Sequence, residues 1–254
     1  ARQAALAALL EAEGLDALLV TSRPNIRYLS GFSGSAGVAV ATRNGLLLVT
    51  DSRYDEQARQ QCGAVARVEI EGTSVWDRLF KELPTLGPLG LIGFEAHSVS
   101  VKDAERFSTA SGGTAVGGGA AWRWKPAGEL VERLRVRKDA GEVGAIRAAA
   151  TVAAAALRAT LATVRAGQTE LEIAGVLEGA LRRNGSEAHP FPTIVASGPR
   201  SALPHALTSA RAVAAGEWLL LDFGAVVDGY CADVTRTVVV GRRADEAQRA
   251  LYGL

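Results

Sequence analysis

Methionine is absent from all 254 residues, and cysteine occurs only twice, at positions 62 and 231. Two cysteines so far apart exclude a disulfide framework; free thiols of this kind belong to a reducing compartment, so a cytoplasmic address is expected. Neither sign of charge dominates: 28 Lys and Arg oppose 27 Asp and Glu, and no long block of like charge occurs. That balance points away from nucleic acid and anionic membranes and toward small-molecule or peptide chemistry. No stretch reaches the ~18 consecutive apolar residues of a membrane span. The opening ARQAALAALLEAEG reads as an amphipathic helix rather than a signal peptide, and without an initiator Met a processed or trimmed end is expected. Histidine is also scarce, with His97, His189 and His205 making up all 3.

What is present is apolar and patterned. Hydrophobic residues make up 48% of the chain, enough for packed cores in one large or two ordinary domains. The first half alternates helix and strand signals. A helix running to Glu13 stops at Gly14, strands follow at 16–21, 36–41 and 46–50, and further helices and strands reach Phe94. This predicts an α/β domain with a mixed sheet. The Gly-rich SGGTAVGGGAAWRWKPAG, from Ser111 to Gly128, reads as a boundary, with domains expected at 1–124 and 125–254. Beyond it, an Ala-rich helix is expected over 139–164. Thr169 with Glu172 then forms a capping-box start for a second helix to Arg183. A short strand is read at 191–196, and SALPHA places His205 in the loop that follows.

The run LLLDFGAVVDGYCADVTRT carries the chemistry. Apolar strands flank Asp228-Gly229, the strongest two-residue hairpin signal, and a two-residue turn pairs Asp222 with Thr235 and Gly224 with Asp233. The two aspartates then lie diagonally on one face, their Cα atoms roughly 7–8 Å apart. A one-residue change of loop length would put them on opposite faces. Converging carboxylates beside apolar strands are costly unless a cation or proton compensates them, so one divalent ion, or two about 3.5–4 Å apart, is expected there. The plainer alternative is that one Asp caps the turn and the other is solvated.

FPTIVASGPRSALPHA together with that hairpin resembles the pita-bread metallopeptidases, in particular the Xaa-Pro branch of aminopeptidase P and prolidase. NIRYLSGFSGSAG and LLLVTDSRYDEQA resemble the creatinase-type N-terminal domain of the same branch. The fold implied is α/β (α+β): a mixed-sheet creatinase-like domain, then a pita-bread catalytic domain whose C-terminal part is missing. The resemblance makes Asp222 a ligand of one metal, Asp233 a ligand bridging two, and His205 the histidine that stabilises developing negative charge or moves a proton. The cofactor implied is two divalent ions, Mn²⁺ first, with Zn²⁺ or Co²⁺ also suited to oxygen and imidazole donors. From the residues themselves, Thr235 shares the face parity of Asp233 and either holds a ligand carboxylate or is there for strand propensity alone; Phe191 and Tyr230 either line an apolar pocket for a proline ring or are ordinary core aromatics, and His189 either borders that pocket or lies in a flexible loop.

The activity implied is hydrolysis of the bond between an N-terminal residue and a following proline, in small peptides. That bond lacks the N–H that many peptidases bind. The resemblance also implies three further ligands, a histidine and two glutamates, downstream of the hairpin. After Asp233 the chain has no histidine, and its only acidic residues are Asp245 and Glu246, so a longer protein is expected. A homodimer is implied as well, with Asn25–Phe32 as the segment to look at. The competing readings are an Xaa-Pro dipeptidase, a non-catalytic binding module of the same fold, and a creatinase-like hydrolase using histidine instead of metal.

Overall fold

The computed structural model describes residues 1–111 and 122–252. Most of the expected Gly-rich boundary segment, 112–121, lies outside them. The chain divides into two compact units, Ala1–Arg137 and Lys138–Leu254.

In the first unit α1 (Arg2–Ala12), β1 (Ala17–Val20), α2 (Arg23–Ser30), β2 (Val38–Thr42) and β3 (Gly45–Asp51) are followed by α3 (Asp55–Cys62), β4 (Arg67–Glu71), α4 (Val75–Glu82), β5 (Leu91–Glu95), α5 (Val101–Ser111), β6 (Arg123–Ala127) and α6 (Leu130–Arg135). The six strands form one mixed sheet in the order β4-β3-β2-β1-β5-β6. Strand periodicity divides the apolar residues between its two faces. Leu18, Val20, Ala39, Ala41, Leu46 and Leu48 pack with α1, α2 and α6, while Ala17, Leu19, Val38, Val40, Leu47 and Val49 pack with α4 and α5. Both faces of β1 are therefore buried, which is why it reads as a continuous apolar run.

One part of this unit departs from the sequence expectation. The expected boundary at Lys125 falls inside β6, which pairs in parallel with β5 and so belongs to the first unit. Pro126 is tolerated there because β6 is an edge strand, where a missing N–H costs no ladder bond. The Asn25–Phe32 segment buries Asn25, Ile26, Leu29, Ser30 and Phe32 within its own unit and leaves Gly31 exposed. Its apolar side chains are spaced to serve the core of this unit.

The second unit contains α7 (Ala140–Leu161), α8 (Glu170–Arg183), β7 (Ile194–Ser197), β8 (Trp218–Val227), β9 (Tyr230–Val239) and α9 (Glu246–Tyr252). Capping boxes open both long helices: Asp139 with Glu142 on α7, and Thr169 with Glu172 on α8, the latter as the sequence predicted. By length and composition α7 could cross a membrane. Here its stripe of Ala149, Ala153 and Ala156 packs into the apolar core formed with α8 and the strands. The sheet order is β7-β8-β9, antiparallel throughout. Leu219, Leu221, Phe223 and Ala225 are fully buried on the helix side of β8. Burying a side chain such as Phe223 is worth about 1.5–3 kcal/mol, so the hairpin register is strongly held.

Candidate active site

The β8–β9 hairpin has the register its turn residues predict. Asp222 pairs with Thr235 and Gly224 with Asp233. Asp228 and Gly229 both take positive φ, 48° and 68°, as a two-residue turn of the primed type requires. Because the buried residues of β8 occupy the other parity, Asp222, Gly224 and Asp233 share the face turned away from the helices.

A cleft of about 760 Å³ opens on that face, and Asp222, Asp233, His205 and Phe191 all line it. Thr193, Ile194, Leu207 and Thr208 complete much of its wall. Asp222 is half-buried, and the Thr235 hydroxyl donates to its Oδ1 at 2.9 Å. That bond fixes one oxygen of the carboxylate and orients the other. Gly224 lies between the two aspartates because nothing larger fits. A Cβ there would stand 2.3 Å from Pro190 Cγ and 2.4 Å from the Ala232 carbonyl oxygen. The segment before β7 thus crosses close over the hairpin and brings Phe191 to the cleft.

Tyr230 is not among the residues lining the cleft. It starts β9 on the opposite parity to Asp233, and its hydroxyl donates to Glu142 Oε1 at 2.8 Å, tying the hairpin to the start of α7. The pocket role expected for it does not fit this placement, because strand alternation turns it to the helix side. Among the described residues the buried Nδ1 of His189 has no hydrogen-bond partner, and His189 does not line the cleft.

The loop carrying His205 is held by groups that no sequence motif singled out. The Thr208 hydroxyl accepts from Val195 N at 2.8 Å and donates to the Thr193 carbonyl at 3.0 Å, pinning the segment after His205 along β7. Glu170 is fully buried at the start of α8 and accepts from the amides and hydroxyls of both Ser197 and Ser209. Burial is the largest influence on this carboxyl and would raise its pKa. The Ser209 hydroxyl, the Ser197 amide and hydroxyl and the Arg200 charge together outweigh burial and hold it below the usual value. The only sequence signal near Glu170 was the capping box that located the helix start.

Arg211 forms a two-pronged ion pair with Glu217, at 2.8 and 2.5 Å, and also donates to the Ser197 hydroxyl at 2.6 Å. The Arg211 bonds, followed by the Ala214 amide, lower the Glu217 carboxyl from 4.5 to about 2. A depressed folded-state pKa stabilises the fold above the unfolded value, and that stability is lost as pH falls through the folded one. The second unit should therefore lose stability as pH drops from 4.5 toward about 2. Thermal unfolding across that window should show a shallower decline in Arg211→Ala, and an unchanged slope would refute the assignment.

Among the described residues, one group of three carboxylates and imidazoles has its donor atoms within 4.8 Å of one another: Glu95, His97 and Glu132, in the first unit. Its oxygens are largely engaged by N–H donors. Glu95 Oε2 accepts from the Thr21 and Ser22 amides, both at 2.7 Å, and Asn25 Nδ2 donates to both glutamates. This is a negative cap at the N-terminus of α2, where the free amides and the helix dipole favour a carboxylate. It lies in the other compact unit from the Asp222–Asp233 face.

The first 137 residues match the creatinase/prolidase N-terminal domain, over residues 2–137, and residues 144–254 match metallopeptidase family M24. This chain belongs to the M24 metallopeptidases. An uncharacterised peptidase of Bacillus subtilis, YqhT, is 37% identical over 92% of the chain. The solved Xaa-Pro dipeptidase from Bacillus anthracis is 32% identical with a TM-score of 0.89, over 99% of this chain and 68% of that one. The X-Pro aminopeptidase from Thermotoga maritima is 36% identical with a TM-score of 0.83, over 97% of this chain and 67% of that one. The chain spans 63% of the length of the Bacillus subtilis protein and 65% of an Xaa-Pro dipeptidase from Pyrococcus horikoshii. The pita-bread M24 fold expected from the motifs is the fold of these solved relatives.

Proposed function

We propose that this M24 chain acts in a metal-dependent exopeptidase that hydrolyses the bond between an N-terminal residue and a following proline, in the manner of aminopeptidase P. The observation that carries the reading is the hairpin register, which puts Asp222 and Asp233 on one face of a cleft that His205 also lines.

The donor set fits a divalent cation. Two carboxylates share a face, one is steered by a hydroxyl, and the lining is otherwise mostly apolar. Two such ions are proposed, Mn²⁺ before Zn²⁺ or Co²⁺, because oxygen and imidazole donors suit it. When bound, the metal supplies Lewis acidity toward the scissile carbonyl. The rest of the chemistry belongs to the chain. Asp222 and Asp233 hold positive charge at the floor of the cleft. His205 donates a hydrogen bond to the oxygen that gains negative charge, or moves a proton to the leaving nitrogen, which an imidazole can do near neutral pH. Phe191 and the apolar wall receive a proline ring and keep water from it.

The relatives' names divide between dipeptidase and aminopeptidase. Hydrolysis of Xaa-Pro dipeptides against longer Xaa-Pro peptides, with added Mn²⁺, separates these alternatives. Cleavage of the longer peptides supports the aminopeptidase reading, and cleavage of dipeptides alone supports the prolidase one. A protein that binds no divalent ion and cleaves neither would be a binding module of the same fold. A cytoplasmic address is proposed from the two free thiols, and a homodimer from the family.

A further inference from the structure

The stretch between β7 and β8 leaves the sheet at Ser197 and carries His205 to the cleft. Ser197 at its start and Ser209, four residues past His205, both return to one side chain. Glu170 Oε1 accepts from the Ser197 amide at 2.8 Å and the Ser197 hydroxyl at 3.0 Å. Its Oε2 accepts from the Ser209 amide at 3.1 Å and the Ser209 hydroxyl at 2.7 Å. Arg200, inside the loop, adds its Nε at 3.3 Å and reaches across to the Leu207 carbonyl, two residues past His205. The backbone of α8 reinforces the far end, where the Glu170 amide donates to the Arg211 carbonyl at 3.0 Å and the Leu171 amide to the Ser209 carbonyl at 3.1 Å.

A carboxylate with 0% side-chain exposure is a costly group to bury. It is tolerated here because five donors meet two oxygens, which have about four lone-pair sites. The donors make the requirement specific. Each oxygen faces a backbone N–H that cannot rotate away, so the site accepts only a group that is an acceptor on both sides. A glutamine has nearly the same shape, but its amide nitrogen would oppose an N–H whichever way it turned.

We propose that Glu170 is the positioning residue of the His205 loop: its ionised carboxylate clasps Ser197 and Ser209 and thereby sets where His205 stands over the Asp222–Asp233 face. The importance of that placement rests on the role proposed for His205; the clasp itself does not. Glu170 touches neither the cleft nor a substrate, and it acts through the loop.

The test is Glu170→Gln in this chain, read by hydrogen exchange and by histidine NMR. With 3 histidines in the sequence, the His205 ring signals can be assigned by His205→Gln. Exchange at residues 198–209 should rise about tenfold or more, as expected for losing charge-assisted bonds, while β8 and β9 keep their protection. The His205 ring signals should move, while those of His97 in the other unit should not. Wild-type loop exchange and wild-type His205 signals would overturn the proposal. So would a uniform rise across the whole second unit, which would mean a purely structural role. If Glu170→Gln does not fold, Ser209→Ala removes one donor while leaving the carboxylate in place. It should loosen the same stretch to a smaller degree, and an unchanged loop in that variant would overturn the clasp. Should His205→Ala leave Xaa-Pro hydrolysis intact while Glu170→Gln still frees the loop, the clasp stands and the function proposed for His205 falls.

Discussion

Replacing Asp233 by asparagine in the complete protein should remove the proposed divalent-metal binding and Xaa-Pro hydrolysis while leaving the fold intact. The side chain is exposed on β9, and the new residue has nearly the same shape, so neither packing nor register is disturbed. What changes is charge. A neutral amide beside Asp222 halves the negative charge on the shared face and offers a single acceptor where the carboxylate offered two. Even hydrogen-bond partners behind metal ligands are worth about 10–100-fold in affinity, so losing a ligand oxygen should cost at least about 100-fold. Calorimetric titration with Mn²⁺ measures this, alongside circular dichroism to show the unchanged fold. Wild-type metal affinity in Asp233→Asn would remove the site from this hairpin.

The second large effect is expected from Gly224→Val, which acts on the same face by volume. Gly224 sits opposite Asp233, and a Cβ there would meet Pro190 Cγ at 2.3 Å and the Ala232 carbonyl at 2.4 Å. The second contact is backbone of the neighbouring strand, so rotating a side chain does not relieve it. Either β9 slides or the 189–192 segment lifts, and the cleft wall at Phe191 moves with it. Overpacking of this kind costs about 1–3 kcal/mol, and the branched side chain should lie at the upper end. Denaturant unfolding should show that loss, with weaker metal binding in the folded fraction. A variant within about 0.5 kcal/mol of wild type, the range of ordinary surface changes, would show that the close approach is not maintained.

The two aspartates were legible in the sequence because hairpin geometry is local. Asp228-Gly229 fixes the turn, the turn fixes the register, and period-2 alternation then puts Asp222 and Asp233 on one face. The same alternation shows why Tyr230 was misplaced. It stands three residues before Asp233, and that odd separation along a strand sends it to the other side, onto Glu142. In the first unit the apolar strands could be read directly, whereas α2 was missed. Arg23–Ser30 is short and mean polar, and its start is stabilised by Glu95 from a distant strand.

By itself, then, the sequence determined the elements whose signals lie within a few residues: the central strands, the two capping-box helices, the hairpin and its paired aspartates. Tertiary structure alone decided which distant groups hold the site together. Glu170 meets Ser197 and Ser209, and Pro190 closes over Gly224, through contacts between residues far apart in the chain. Such contacts leave no periodic trace. They form because burying a carboxylate or closing two backbones requires a matched set of donors and one missing side chain, and only the folded chain brings those together.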